Sequence, residues 1–238
     1  MKKRTPKPVA VQEVQESIKD LLRLVLRTEF FAGPDAPLRG VLTEGDAQSR
    51  VALIVGPNAS GKSFVADMLG AWVRNEKPSV DVLPVSMRSR TRDGMHRCFM
   101  YGPRGDNDST GNVSTIALRG GLRTARERTS PCLLQLDEPD LGLAEEFGWA
   151  MGQWIAQDDP TRVNDQCRGM VVVSHSRELV RGFLEASPLK PHFLHLGDNP
   201  QTLDDWLKTI ERRSVDDLKA LSDVSHERFL SVLKLLEA

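Results

Sequence analysis

Residues Gly56-Pro57-Asn58-Ala59-Ser60-Gly61-Lys62-Ser63 constrain this chain more than any other stretch. They follow an apolar run, Val51 to Val55, and precede Phe64, Val65, Met68, Leu69, Trp72 and Val73, which recur at helical spacing. A buried strand must therefore turn through a glycine-rich loop into a helix that starts near Lys62. Glycines let such a backbone curl, so that successive N–H groups and the start of the helix face one centre, where negative oxygens are the matching ligand. On this reading the eight loop residues and Phe64 form a phosphate cradle. Lys62 reaches the β- and γ-phosphates of a nucleotide, and the Ser63 hydroxyl ligates magnesium. The plainer alternative is a glycine-rich turn carrying an exposed lysine.

The rest of the chain alternates strand-like and helix-like patterns. Strands are expected over residues 41–43, 50–55, 80–85, 97–101, 133–136, 170–173 and 193–196, with the first two paired around Glu44-Gly45-Asp46. Helices are expected over 11–26, from Lys62, over 113–127, over 143–155 with Leu143, Phe147, Met151 and Trp154 on its apolar face, and over 177–184. Such alternation predicts an α/β fold: a mostly parallel sheet covered on both faces, with helical additions at each end. Residues 1–40 read as an amphipathic helix and turn, 41–198 as the core with 86–128 a short variable region, and 199–238 as a helical tail. In that tail Leu203, Trp206, Leu207 and Ile210 share one face, and Phe229, Val232, Leu233 and Leu236 another.

Two further strand ends carry chemistry. Leu133 to Leu136 delivers Asp137 and Glu138 to the carboxyl edge of the sheet, where ligands of open α/β sheets bind. Asp137 is suited to hold magnesium through water, and Glu138 to orient or deprotonate an attacking water. Val171 to Val173 likewise ends in Ser174-His175, although a lone histidine at a strand end is ordinarily structural.

Composition narrows the setting. The 32 Lys and Arg nearly cancel the 33 Asp and Glu, leaving a net charge of −1, so any nucleic-acid or membrane partner must meet a local patch. No apolar run approaches the roughly 20 residues of a spanning helix. Basic Met1 to Arg4 is followed by prolines rather than by an apolar core, which argues against secretion. Cys98, Cys132 and Cys167 are odd in number and widely spaced, as buried thiols in a reducing cytosol are. The expectation is a soluble, cytoplasmic chain without membrane contact.

Taken in order, the Gly56 to Ser63 loop, the Leu133 to Glu138 strand and His175 resemble the ATP-binding-cassette (ABC) ATPases, matching their Walker A loop, Walker B strand with catalytic glutamate, and switch histidine. The resemblance spans about residues 51–180. It implies a three-layer P-loop NTPase with an antiparallel edge to its sheet, ATP and Mg2+ as ligands, and hydrolysis of ATP to ADP and phosphate. It further implies an ATP-dependent homodimer in which a signature loop contacts the γ-phosphate of the opposite subunit. Ser109-Thr110-Gly111-Asn112 looks like a degenerate signature, with Ser109 and Gly111 as the contacts, although the same residues are ordinary helix-capping chemistry. Asp140 to Leu143 looks like the family's D-loop, in the form found in soluble overcoming-lysogenization-defect and chromosome-maintenance types. Phe30 or Phe31 stands where the family's adenine-stacking aromatic lies, with core packing as the alternative.

Two departures bear on mechanism. No glutamine lies between Lys62 and Ser109, so the family's Q-loop has no match, and residues 64–108 are too few for long coiled-coil arms. By analogy with that family, small size and the lack of a transport signature favour, over nutrient import, an energy-coupled signal for an unidentified partner protein in DNA repair, phage defence or a mobile-element assembly. Arg88, Arg90, Arg92, His96 and Arg97, with Arg119, Arg123, Arg126 and Arg128, leave a nucleic-acid backbone contact open, but Asp93, Asp106 and Asp108 interrupt the charge. A ring-forming AAA+ ATPase and a nucleotide-binding module that hardly hydrolyses are the competing readings.

Overall fold

A computed structural model of the chain describes residues 17–86, 109–209 and 212–237. The start of the expected first helix, with Val11 and Val14, lies outside them, as do the expected strand 97–101, Cys98, the arginines between 88 and 97, and Ile210. Six strands form one sheet: β1 (Gly40–Thr43), β2 (Val51–Val55), β3 (Asp81–Ser86), β4 (Cys132–Asp137), β5 (Cys167–Ser174) and β6 (His192–Leu196). Their spatial order is β1-β6-β2-β5-β4-β3, and every pairing is parallel except that of β1 with β6.

β2 shows how the sheet divides the molecule. All five of its residues are buried, as in a strand covered on both faces. Val51, Leu53 and Val55 enter one cluster, with helices α3 (Thr110–Glu127), α4 (Gly148–Gln157), α5 (Arg177–Ala186) and α6 (Leu203–Lys208) supplying Leu118, Ile155, Phe183 and Trp206. Ala52 and Ile54 enter the other, with α1 (Ile18–Leu26) and α2 (Lys62–Glu76) supplying Leu22, Val25, Val65 and Leu69. α1 begins at a capping box in which Ser17 and Asp20 satisfy each other's backbone amides. A last helix, α7 (Val215–Leu236), buries only Val232. Among the described residues, no helix is long and apolar enough to cross a membrane.

The structure corrects three expectations. β1 does not pair with β2, because β6 lies between them. The Glu44-Gly45-Asp46 segment passes the entrance of β6 instead of closing a hairpin: the Gly45 amide donates to His192 Nδ1, and the Asp46 carboxylate accepts from the Lys190 amide at 2.7 Å. The half-buried β1 suits an edge, whereas the wholly apolar β2 needs a neighbour on each side. The helix expected over 143–155 starts only at Gly148, after a 3-10 turn (Glu145–Phe147). Ser114 Oγ donates to Leu141 O at 2.6 Å and Gly142 adopts φ +81°, which hold the preceding residues in a turn and leave Phe147 54% exposed. In the tail, Phe229 and Leu236 are exposed, so the expected apolar face reduces to Val232 with half-buried Leu233.

Candidate functional site

The carboxyl ends of β2, β5, β4 and β3 open on the same edge of the sheet, with Val55 level with Ser174, Val173 level with Asp137, and Asp137 level with Ser86. The 56–63 loop leaves this edge from β2. Gly56 has φ +155°, and a Cβ there would lie 2.3 Å from the Leu196 carbonyl oxygen, so only glycine fits. At the far end Gly61 has φ +90° and, having no side chain, starts α2 without a side-chain cap. Ala59 also takes a left-handed conformation, at φ +61°.

Within the loop, the Lys62 ammonium is buried and donates to the carbonyl oxygens of Gly56 and Pro57, at 2.9 Å each. The buried Ser60 hydroxyl has no hydrogen-bond partner among the described residues. Ser63 Oγ donates to Asp137 Oδ1 at 3.3 Å, joining the loop to the end of β4. Glu138, the next residue, sits at φ +53°, an uncommon conformation for a residue with a Cβ, held by its amide donating to Val173 O at 2.9 Å. Its carboxylate lies 4.0 Å from His175 Nδ1.

A cleft of about 400 Å3 brings together Asn58 to Phe64 and Glu138, with Leu38 and residues of α7. His175 lines a separate hollow of about 190 Å3 together with Gly56 and Pro57 at the start of the loop. Ser109 and Gly111 line neither. Ser109 caps α3, accepting from the Asn112 amide at 3.3 Å, and Gly111 packs on Gly142 and Leu143, so the start of α3 is docked on the segment that follows Glu138. Neither Phe30 nor Phe31 lines the cleft: Phe30 meets Phe64 edge-on at 5.2 Å between centroids, and Phe31 packs on the cluster of α1 and α2, which is the core-packing alternative. Gln135, the glutamine nearest the site in sequence, donates to Ala66 O at 2.7 Å inside the core.

Sequence reasoning missed two partners of these residues. Ser86, the last residue of β3, donates to Asp137 Oδ2 at 3.1 Å and so occupies the side of the carboxylate that Ser63 leaves open. Its signal is only topological, because it depends on β3 pairing with β4. Arg228, on α7, donates to Ala59 O at 2.6 Å and pairs with Asp198; no local pattern announces it.

The donor set suits a hard divalent cation held mainly through water and phosphate. Hydroxyls of Ser63 and Ser86 flank one carboxylate, and among the described residues no group of three His, Cys, Asp or Glu forms a softer or fully protein-built cage. The tight turn at Gly56, the uncapped start of α2 and the orphan Ser60 hydroxyl suit an anion beside it. Compared with models of protein families and with curated proteins, the chain matches none.

Proposed function

We propose that the chain is a P-loop ATPase of the ATP-binding-cassette kind, which holds Mg-ATP at the 56–63 loop and hydrolyses it to signal to a partner protein. One observation carries the reading: the loop residues Lys62 and Ser63, the Asp137-Glu138 pair and His175 come from three different strand ends and converge on one sheet edge, with Ser63 bonded to Asp137. Lys62 exchanges its two loop carbonyls for β- and γ-phosphate oxygens, while the amides at the start of α2 donate to the same phosphates. Magnesium, when bound, offsets charge on the β- and γ-oxygens; Ser63 and Asp137 are the residues that would hold it. Glu138 orients a water in line with the γ-phosphorus and accepts its proton as the new P–O bond forms and the bond to the ADP oxygen breaks. His175 is placed to contact the γ-phosphate or the Glu138 carboxylate.

Steady-state phosphate release and equilibrium binding of a fluorescent ATP analogue test this together. Lys62→Ala should lose nearly all nucleotide affinity. Glu138→Gln should bind ATP as the wild type does and turn over at least about a hundredfold more slowly. Unchanged binding by Lys62→Ala would remove the loop from the reading, and unchanged turnover by Glu138→Gln would place the base elsewhere.

A further inference from the structure

The cleft beside the loop has an apolar lining that hydrolysis does not use. Leu38 and Phe64 supply part of it, and Phe229 and Val232 of α7 supply the rest. α7 is a 22-residue helix, yet Val232 is its only buried residue. What fastens its middle to the core is Arg228, one guanidinium nitrogen on the Ala59 carbonyl at 2.6 Å and another paired with Asp198 just past β6. The next residue, Phe229, is thereby held against the cleft with 58% of its surface open. Among the described residues, the rings lining the cleft are Phe64 and Phe229, and Phe64 is engaged edge-on by Phe30. Phe229 also lines a second, more open hollow along α7 that shares Asn58, Ala59 and Ser225 with the first, so its ring stands free between the two.

An aromatic face, two aliphatic neighbours and a polar loop in one cleft are the chemistry of a nucleobase with its phosphates. Building on the nucleotide reading above, we propose that α7 is the base-binding wall of the site: Phe229 stacks on the nucleobase, and Arg228 is the positioning residue that holds the helix against the loop. The base contact then comes from Phe229 on α7, more than 160 residues along the chain from the loop that holds the phosphates.

The full-length chain, with magnesium, is titrated with ATP and separately with inorganic tripolyphosphate, which carries the phosphates without a base. Phe229→Ala should weaken ATP binding about tenfold and leave tripolyphosphate binding unchanged. Phe229→Trp should restore ATP affinity. Arg228→Ala should reproduce the loss for ATP alone. Unchanged ATP affinity in Phe229→Ala, or equal losses for both ligands, overturns the stacking assignment. Loss of tripolyphosphate affinity in Arg228→Ala would make that residue a phosphate ligand and overturn its positioning role. Failure of the underlying nucleotide reading looks different: the wild type binds neither ligand, or Lys62→Ala binds both normally.

Discussion

Asp137 is the residue on which the site turns, because both of its oxygens are bonded to hydroxyls, Ser63 on one side and Ser86 on the other. A carboxylate so held is pre-oriented for a cation, and removing Ser86 frees it to rotate. We expect Ser86→Ala to raise the magnesium concentration for half-maximal ATPase activity about tenfold while the fold stays intact; an unchanged magnesium curve would reduce Ser86 to a strand-end residue. A second residue-scale expectation concerns His192, buried at the start of β6, where burial lowers its pKa despite nearby Glu44 and Asp20. Its Nδ1 accepts from the Gly45 amide, so the ring is held neutral with its proton on Nε2, facing Ser49 O at 3.2 Å. Since the folded value lies below the unfolded one, the unfolded chain binds the proton first. This stability is complete above about pH 6.5 and drains away as the pH falls from there through the folded value. At pH 5.5 the loss is at most about 1.4 kcal/mol. Urea midpoints at pH 8 and 5.5 should separate for the wild type and converge for His192→Gln; equal separation in both would assign the acid sensitivity elsewhere. Lys62 and Ser63 are legible as candidates because they close a glycine-rich loop between an apolar strand and a helix, and Asp137, Glu138 and His175 because they stand at the ends of apolar strands. Ser86 is not, because its role exists only once β3 lies beside β4, and a strand's neighbour is a tertiary fact.

Elements follow the same division between local and non-local causes. β2, β4, β5 and β6 are short apolar runs bounded by polar residues, so they are legible and form within two or three residues of expectation. The pairing of β1 with β6 and the late start of α4 are not legible, because one depends on strand insertion and the other on a tertiary hydrogen bond from Ser114. The packing of α4 on α5 belongs to this second class. A Cβ on Gly152 would lie 1.9 Å from the Leu179 carbonyl oxygen, and one on Gly182 would lie 2.0 Å from that of Trp149, so the two helix backbones nearly touch. Backbone cannot step aside as a side chain can. Gly152→Ala should therefore push α4 and α5 apart and destabilise the chain by about 2–3 kcal/mol, measured by chemical denaturation. Gly120, which has nothing within 4 Å of its would-be Cβ, is the internal control: Gly120→Ala should be neutral or slightly stabilising within α3. Equal stability for the two variants would mean that the helices are not in such close contact.

At the scale of the whole molecule, two groups of site residues lie apart within one chain. Asn58 to Ser63 and Glu138 line the cleft, with Asp137 bonded to Ser63, whereas Ser109 and Gly111 stay out of it, docked through Gly142 and Leu143 on the segment that follows Glu138. Exposed apolar side chains, Ile116, Leu141 and Phe147, occur on α3 and along that same segment. If the start of α3 is a signature, it serves the γ-phosphate of a second copy, and two chains close around two nucleotides with each site shared. Glu138→Gln with ATP and magnesium should then sediment as a dimer, and as a smaller species without ATP, because unhydrolysed nucleotide stabilises the assembly it bridges. Mixing two inactive variants is the sharper measurement. Lys62→Ala and Ser109→Arg each disable both sites of their own homodimer, the second also removing the α3 cap at a cost of about 1 kcal/mol. A mixed dimer gathers both lesions into one site and leaves the other intact, so partial ATPase activity should return on mixing. A mixture that forms mixed dimers yet stays inactive at every ratio would count against independently firing shared sites, and a hexamer would favour a ring-forming ATPase in which Ser109 is a helix cap and nothing more.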